Sequence, residues 1–412
     1  METLKFLMIS THFPPFNLGG DAVLVDYLSR ELIGRGHDVH VLHSPVVYQL
    51  VKGSRDSRAA TKVEGKPTTH EFKPRLGRLE AMLTLSLEYS GRARRVVENL
   101  MESIRPDVLH WHNTKGLIGR PFDVRGIVSL YTAHDYYLVC PRSNLARPDM
   151  RYCTDPSGCL SCTARWMKPP QFWRVGSKRV VVPPDAVKVL APTEFMANRL
   201  RQDGIKVHAV VNNFVPDPGP LSLIDPQQRT LISYVGMLEP HKGPQTLLEA
   251  FARSKDSQGF ELHIMGDGSM KARMRQRARA LGVADRVRIP GFVPREELET
   301  ALRKSAALVI PSEWPEVASL IAMEAFSLGV PVIASEQGGL PETVGTDSGS
   351  ILFKAGDVGG LASAIVSVWN SRMNLNEPSR KARTSYEARF SPEIHVSKYL
   401  GIVRQLASDL QK

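Results

Sequence analysis

Two glutamates, Glu316 and Glu324, are eight residues apart in a segment that alternates between strand and helix patterns. The apolar run at 306–310 ends at a proline, helical spacing follows over 319–328, and a second apolar run covers 331–334. Loops at the carboxyl ends of parallel strands hold ligands, and the start of a helix attracts anions. Because carboxylates accept hydrogen bonds from hydroxyl groups, the segment predicts a site for a ligand with both phosphates and hydroxyls, such as a nucleotide-sugar.

Histidines follow two apolar runs in the first half of the chain. His112 and Asn113 lie in PDVLHWHNTKG, and His134 and Asp135 lie in SLYTAHDYY. A neutral imidazole can donate a hydrogen bond to a sugar hydroxyl or a leaving phosphate, and it can stabilise charge near an anomeric carbon. We therefore predict that His134 is an active-site group oriented by Asp135. For His112 a purely structural role within a strand stays open.

Glycine turns and one lysine could meet a phosphate. Gly19 and Gly20 precede the first predicted helix, and three glycines lie at or just after the ends of two predicted strands in the second half: Gly236, Gly266 and Gly268. Glycine lets the backbone approach a ligand closely, although a plain tight turn needs the same residue. Lys242 follows in YVGMLEPHKG, and a mobile ammonium suits a phosphate whose charge grows as a bond breaks.

All four cysteines lie in one short region: Cys140, Cys153, Cys159 and Cys162. The last two form C-x-x-C, which places two thiolates on one turn. Four thiolates in a loop-rich insert have the ligand chemistry of a structural zinc site. An iron–sulfur cluster uses the same ligands, and thiols without a metal are the third alternative.

The composition is that of a globular protein, and the 412 residues suffice for two domains. The start, METLKFLMIS, resembles a buried strand more than a signal peptide, and no apolar run approaches the ~20 residues that span a bilayer. These features predict a cytoplasmic protein. A net charge of +11 favours anionic partners, namely nucleic acid, an anionic membrane surface or an anionic substrate.

Cations and aromatic residues are mixed between residues 165 and 179. The cations are Arg165, Lys168, Arg174, Lys178 and Arg179, and the aromatic residues are Trp166, Phe172 and Trp173. This mixture suits a lipid headgroup region and predicts peripheral contact with the inner face of the membrane. A solvated face beside ordinary core aromatics explains it equally well.

Strand and helix patterns alternate in both halves, which predicts an α/β protein with parallel sheets. Predicted strands cover 5–10, 38–43, 107–112, 128–133 and 187–191 in the first half, and 231–236, 261–266, 287–289, 306–310 and 331–334 in the second. We predict a first domain at 1–211 with a cysteine-containing insert at 140–162, a proline-rich linker at 212–228, a second domain at 229–385, and helices at 386–412.

Over nearly the whole chain these segments resemble the retaining glycosyltransferases of the GT-B fold, most closely glycosyltransferase family 4. The resemblance implies two Rossmann-like domains that face each other across a cleft, with the last helix crossing back to the first domain. It further implies an N-terminal domain for the acceptor, including His112, Asn113 and Asp135, and a C-terminal domain for a UDP- or GDP-sugar.

The resemblance also assigns roles to residues. Glu324 would bind the ribose, Glu316 the donor sugar and Lys242 the diphosphate, with His134 against the transferred sugar. Further donor contacts would come from the glycines above, from Phe292 and Val293 at the base, and from backbone amides at Ala318, Ser319 and Leu320. The sequence departs from the family at Met237, where an arginine is usual, and at Ala318-Ser319, where Phe-Gly is usual.

The expected activity is therefore the transfer of a sugar from a nucleotide-sugar to a glycan, lipid-linked or small-molecule acceptor, with retention of configuration and no metal for the transfer itself. The alternative is an inactive subunit that binds a nucleotide-sugar or glycan in a membrane-associated complex, which the two departures favour. An epimerase of the same fold would need other carboxylates and histidines. Nucleic-acid binding rests on charge alone, without a recognisable motif, so we expect no nucleic-acid partner.

Overall fold

A computed structural model describes residues 3–16, 19–52, 65–147, 152–153, 158–166, 171–174, 180–254 and 259–412. The chain divides into two compact units. The first contains Met1–Asn213 together with His395–Lys412, and the second contains Phe214–Ile394. Among the described helices, none combines the length and the apolar character needed to cross a bilayer.

The first unit is built on a seven-stranded parallel sheet with the order β3-β2-β1-β4-β5-β6-β7. Its strands are β1 (Lys5–Ile9), β2 (Asp38–His43), β3 (Thr68–Glu71), β4 (Val108–Trp111), β5 (Val128–Thr132), β6 (Val187–Ala191) and β7 (Val207–Val210). Its helices are α1 (Gly20–Gly34), α2 (Pro45–Lys52), α3 (Arg78–Leu87), α4 (Gly91–Ile104), α5 (Cys159–Arg165) and α6 (Glu194–Gln202). The central strands β1, β4 and β5 are almost wholly buried, as expected for a sheet covered on both faces.

The second unit has a six-stranded parallel sheet with the order β10-β9-β8-β11-β12-β13. Its strands are β8 (Leu231–Val235), β9 (Glu261–Met265), β10 (Val287–Gly291), β11 (Ser305–Ile310), β12 (Val332–Ser335) and β13 (Ile351–Phe353). Its helices are α7 (Pro244–Arg253), α8 (Lys271–Ala280), α9 (Arg295–Arg303), α10 (Leu320–Ser327), α11 (Leu340–Val344), α12 (Val358–Asn370) and α13 (Asn376–Arg389). This order is the doubly wound arrangement in which ligands bind at the carboxyl ends of the strands, where the order reverses.

The last helix, α14 (Pro392–Leu410), belongs mainly to the first unit. Its Tyr399 hydroxyl lies 3.0 Å from His110 Nδ1, and His395 Nδ1 lies 2.6 Å from the carbonyl oxygen of Asn212. The predicted α/β class with two Rossmann-like sheets and a returning C-terminal helix is confirmed. The returning helix contributes buried side chains to the first sheet, so the two ends of the chain share one core.

Three strands were absent from the sequence prediction: β3, β7 and β13. Each is the outermost strand of its sheet, with three or four residues that are largely exposed or half-buried. An edge strand needs no continuous apolar run because one side of it faces solvent, so the pattern that reveals a central strand is missing.

Candidate functional site

The first unit brings its two predicted histidines together. The strands β4 and β5 are neighbours, and each ends just before one of these residues. His112 Nδ1 and His134 Nε2 are 2.9 Å apart, which is a hydrogen bond whose direction depends on the tautomers. The His112 N–H donates to the carbonyl of Ile9 at 2.9 Å, which fixes the loop to the end of β1. The pair therefore lies at the carboxyl edge of the central strands.

Both imidazoles are held in the neutral form. Burial lowers the pKa of His134 to about 4, although the nearby carboxylate of Asp21 opposes the shift. Burial also lowers the pKa of His112 well below its ordinary value, helped by His110 and His134. Neutral imidazoles can each donate one hydrogen bond and accept another, which suits recognition of hydroxyl groups. His112 Nε2 is buried and makes no hydrogen bond within the described part of the chain.

Asp135 has a partner other than the predicted one, and Asn113 contacts the first helix. The Asp135 carboxylate accepts from the Tyr137 N–H at 2.8 Å and so caps a short 3₁₀ helix, Tyr136–Leu138. Within the described part of the chain the His134 ring hydrogen-bonds to His112 and not to Asp135, so His112 is the residue in position to orient it. Burial raises the pKa of Asp135 to about 6, opposed by Lys115. Asn113 Nδ2 donates to Asp21 Oδ2 at 2.9 Å, which ties this loop to the first turn of α1.

A buried charged network lies below these loops and was not found by sequence reasoning. Arg174 is fully buried, donates to the Tyr137 carbonyl at 2.7 Å and lies 3.5 Å from Glu88 Oε1. Glu88 also accepts from the Tyr137 hydroxyl and from Gln171. Burial raises the pKa of Glu88, and Arg174 and the hydrogen bonds oppose that shift. Glu88 is 86 residues from Arg174, 83 from Gln171 and 49 from Tyr137 in sequence, so no local pattern could indicate these contacts.

In the second unit, Lys242 and Glu316 form an ion pair. The lysine ends a 3₁₀ turn after β8 and the glutamate follows the neighbouring strand β11. Lys242 Nζ lies 2.6 Å from Glu316 Oε1, and both side chains are partly exposed, by 24% and 15%. An accessible cation and carboxylate at the carboxyl edge of a doubly wound sheet match the position expected for a phosphate and a sugar hydroxyl.

Glycines pack the loops of this edge closely together. A Cβ atom on Gly266 would lie 1.8 Å from the carbonyl oxygen of Gly236, and one on Gly268 would lie 2.5 Å from that of Leu238. The Gly339 N–H donates to the Glu316 carbonyl at 2.7 Å, and a Cβ atom on Gly338 would lie 2.3 Å from the same oxygen. Gly266 and Gly268 therefore allow close contact with the segment after β8, and Gly338 allows close contact with the backbone of Glu316.

Helix α10 begins at the carboxyl end of β11. Ser319 is its N-cap and its hydroxyl accepts from the Ala322 N–H at 3.4 Å, so the serine at the family's glycine position serves as a helix cap. Leu320 is the first helical residue, and Ala318 precedes the cap. The helix therefore starts where the sequence analysis placed an anion contact, and that contact stays a prediction.

Glu324 has a charged partner that the sequence analysis missed. Arg295, at the start of α9, places its NH1 atom 2.5 Å from Glu324 Oε1. The glutamate is largely buried, whereas the Arg295 side chain is 56% exposed. Arg295 directly follows the PGFVP segment, which contains Phe292 and Val293, and this position next to predicted donor contacts was the sequence signal that could have identified it. The Phe292 side chain is 73% exposed and that of Met237 is 51% exposed, so both are accessible to a ligand.

The four cysteines line one cavity of about 200 Å³ together with three arginines: Arg142, Arg147 and Arg165. No disulfide joins them. Cys162 Sγ lies 3.8 Å from the carbonyl oxygen of Ala146 and 4.0 Å from Arg142 NH1. Within the described residues, no three His, Cys, Asp or Glu side chains are arranged as metal ligands. Thiolates are preferred ligands of zinc, so the cysteines of this cavity fit a zinc ion by ligand type. The metal stays a prediction.

The basic and aromatic stretch at 165–179 is described only in part. Lys168, Lys178 and Arg179 lie outside the described residues. Trp166 packs against the Arg142 guanidinium, whose carbon is 3.9 Å from the ring centre. Phe172 is exposed and Trp173 is half-buried.

Two family models match consecutive parts of the chain. The model described as Glycosyltransferase Family 4 matches residues 18–217, and the model described as Glycosyl transferases group 1 matches residues 222–387. The two matches follow each other with a short gap, and together they cover most of the chain.

Curated relatives and solved structures agree with these models. The chain is 28% identical to a glycogen synthase of Mycobacterium tuberculosis, covering 94% of this chain and 89% of that protein. It is 27% identical to a 2-deoxystreptamine N-acetyl-D-glucosaminyltransferase of Streptomyces fradiae, covering 84% and 82%. Sucrose-phosphate synthase from Thermosynechococcus elongatus superposes with a TM-score of 0.71 at 18% identity, covering 98% and 100%. HepE from Anabaena in complex with UDP-glucose gives 0.64 at 17% identity, covering 99% of each chain.

Proposed function

The chain belongs to the GT-B glycosyltransferases of family 4, or group 1, and from this premise we propose that it transfers a hexosyl group from a UDP- or GDP-sugar with retention of configuration. The acceptor is a glycan, a lipid-linked sugar or a small molecule. The observation that carries the proposal is the ion pair of Lys242 and Glu316 at the carboxyl ends of β8 and β11, beside the first turn of α10.

Each part of this edge has a defined task in the proposal. The Lys242 ammonium and the first N–H groups of α10 bind the diphosphate and stabilise the charge that it gains as the glycosidic C–O bond breaks. The Glu316 carboxylate accepts hydrogen bonds from hydroxyls of the donor sugar. Glu324 accepts from the ribose hydroxyls, with Arg295 fixing the position of its carboxylate.

The histidine pair of the first unit contacts the transferred sugar. Since burial keeps His134 neutral, it acts as a hydrogen-bonding group and not as a fixed cation. The tautomers of His112 and His134 are linked, because the two rings share one hydrogen bond in which one nitrogen donates and the other accepts. The acceptor oxygen attacks the anomeric carbon from the side of the departing phosphate, which accepts the acceptor's proton. Retention follows from attack on that same face.

The related proteins support a nucleotide-sugar donor. HepE was crystallised with UDP and with UDP-glucose, which makes a UDP-sugar the first donor to test. The acceptors in the relatives' names differ in kind, since one is glycogen and another is the aminocyclitol 2-deoxystreptamine. The acceptor must therefore be found by experiment on this chain.

One observation favours the alternative of an inactive binding subunit. Met237 occupies the position of the usual arginine and is exposed, so one expected phosphate contact is missing. Lys242 would then have to bind the diphosphate without that arginine. A subunit of this kind would bind nucleotide-sugar without turning it over.

The test combines donor turnover with analysis of the product. The purified protein is incubated with UDP-glucose, UDP-N-acetylglucosamine and GDP-mannose in the presence of candidate acceptors, and the anomeric proton of the product is read by NMR. The α-linked donors should give an α-linked product. His134→Ala should lower the transfer rate by about two to four orders of magnitude and leave donor binding intact. His263→Ala, on β9 of the other unit, is the matched control.

A β-linked product would contradict retention. Binding without transfer to any acceptor, unchanged by His134→Ala, would favour the inactive subunit.

A further inference from the structure

Helix α3 in the first unit presents apolar side chains to solvent. Six residues in or beside the helix, together with Phe172, have exposed fractions between 46% and 74%. The six are Leu76, Leu79, Met82, Leu83, Leu87 and Tyr89. The opposite side of the helix is buried, including Ala81 and Thr84. An ordinary surface helix has the reverse pattern, with its apolar stripe on the core. These seven residues are called the α3 surface below.

The α3 surface extends beyond the helix itself. Gln171 Nε2 donates to the Leu85 carbonyl at 3.0 Å, and Trp173 Nε1 donates to the Ser86 carbonyl at 3.0 Å. Phe172 lies between these two residues in the chain and is the most exposed aromatic residue of the described part. Part of the basic and aromatic stretch is therefore fixed against α3, and the exposed aromatic ring adjoins the exposed leucines.

Arginines surround this apolar surface. Arg75 and Arg78 lie at the start of α3, Arg92 and Arg95 lie on α4, and all four are exposed. Arg92 pairs with Glu80, whereas Arg75, Arg78 and Arg95 form no ion pair with other described residues. The Arg120 guanidinium packs on the Trp173 ring, 4.0 Å from its centre. An apolar centre with a cationic rim and an indole at its edge matches the interface of an anionic bilayer.

We propose that the α3 surface docks the protein on an anionic lipid bilayer, with the leucines in the acyl boundary and the arginines at the headgroup phosphates. The chain's net charge of +11 supports a lipid surface over an acidic protein groove, because a membrane attracts the whole basic molecule. An exposed apolar area of this kind without a partner would favour self-association in water.

The surface also has a structural link to the histidine pair. Glu88 directly follows α3 and accepts from the Tyr137 hydroxyl, and Tyr137 lies three residues after His134. The next step rests on the proposed function: the acceptor is a lipid-linked sugar whose head group reaches the histidines from the membrane. Membrane docking and acceptor use would then depend on the same helix.

The experiment is flotation of the full-length protein with vesicles. One set contains phosphatidylcholine alone, and the other also contains phosphatidylglycerol. The variants are Leu79→Ser with Leu83→Ser, and Arg75→Gln with Arg78→Gln. Their matched controls are Leu410→Ser, which changes an equally exposed leucine at the end of α14, and Arg273→Gln with Arg380→Gln, which changes exposed arginines of the other unit.

We expect binding to the anionic vesicles that weakens with salt. The leucine pair should lower the binding constant by at least about tenfold, since each leucine loses apolar burial in the bilayer. The arginine pair should lower it by about tenfold or more, and the controls should not change it. All variants should keep the wild-type unfolding midpoint and donor affinity.

Equal binding to both vesicle types, or no binding at all, overturns the proposal. A dimer in solution that Leu79→Ser with Leu83→Ser dissociates, without vesicle binding, assigns the surface to a second copy of the chain instead. Failure of vesicle binding with intact donor binding leaves the glycosyltransferase proposal standing. Failure of donor binding with intact vesicle binding leaves the docking surface standing.

Discussion

The substitution Gly338→Ala tests whether the close glycine packing around Glu316 is needed for the donor site. The backbone of Gly338 has φ of +63°, and a Cβ atom there would lie 2.3 Å from the Glu316 carbonyl oxygen and 2.6 Å from its nitrogen. Carbon and oxygen do not approach within 3.0 Å in such contacts, so the two segments must separate by at least 0.7 Å. That movement also strains the hydrogen bond from the Gly339 N–H to the Glu316 carbonyl.

The expected effect combines a cost to stability with a cost to activity. An alanine in the left-handed region costs about 1–2 kcal/mol by itself. Displacement of Glu316 should further lower kcat/KM by about a hundredfold, because misplacing a positioning group by about 1 Å has that order of effect. Gly356→Ala is the matched control, since its φ is +74° and a Cβ atom would meet nothing within 4 Å.

The assay compares urea unfolding and initial transfer rates of both variants with those of the wild type. The strained backbone should lower the free energy of unfolding of both variants by a similar amount. Only Gly338→Ala should lose activity. A Gly338→Ala enzyme with the kcat/KM of the wild type would refute the assignment of Glu316 to the donor site. Equal losses in the two variants would assign the effect to backbone strain alone.

Three further predictions follow from the site. Glu316→Gln should raise the affinity for free UDP by about fivefold or more, because it releases Lys242 from a charge partner, and it should lower the affinity for the UDP-sugar. Calorimetry with both ligands measures the two affinities, and equal shifts would contradict this prediction. Lowering the pH from about 6.5 toward 4 should destabilise the first unit, because the pKa values of His134 and His395 are lowered to about 4 in the folded state. The stabilising contribution of the neutral rings is complete above pH 6.5 and is lost as the pH falls through 4. Urea midpoints across this range measure the loss, and His395→Gln should flatten the dependence. Protein purified without chelator should carry about one zinc per chain by elemental analysis, lost in Cys159→Ser; iron would indicate a cluster, and freely titrating thiols without metal would refute the metal site.

The central strands could be predicted from the sequence because they are buried on both faces. β1 and β11 are continuous apolar runs, and their ends fell within one residue of the prediction. The helix at 319–328 was also predictable, since a serine cap precedes it and a glycine follows it. Three of the four outermost strands, β3, β7 and β13, could not be recognised because exposed edges impose no apolar pattern. An example is β3, Thr68–Glu71, in which three of the four residues are exposed and the other is half-buried.

Positions at the site were predictable where they follow a strand, and contacts were not. His112 and His134 each follow an apolar run, so their location at the sheet edge could be inferred. Their hydrogen bond depends on β4 and β5 being neighbours, which local sequence does not reveal. The pairing of Arg295 with Glu324 likewise needs the three-dimensional arrangement of α9 and α10.

The exposed leucines of α3 show where periodicity misleads. Leu79 and Leu83 have the spacing of a stripe that packs on the core, yet both side chains lie in solvent. The buried side of the helix carries small and polar residues instead, including Thr84. Periodicity identifies a helix and an apolar face, and it does not say whether that face meets the protein core or another surface.

The most direct test of the central claim is calorimetric titration of the full-length protein with UDP-glucose and GDP-mannose, repeated with Lys242→Ala. We expect saturable binding of at least one donor, weakened by about tenfold or more when the ammonium is removed, since a charged hydrogen bond contributes about 1.5–3 kcal/mol. Lys304→Ala, which changes an exposed lysine before the first residue of β11, should bind as the wild type does. Absence of binding to any nucleotide-sugar, or unchanged affinity in Lys242→Ala, would contradict the proposed donor site.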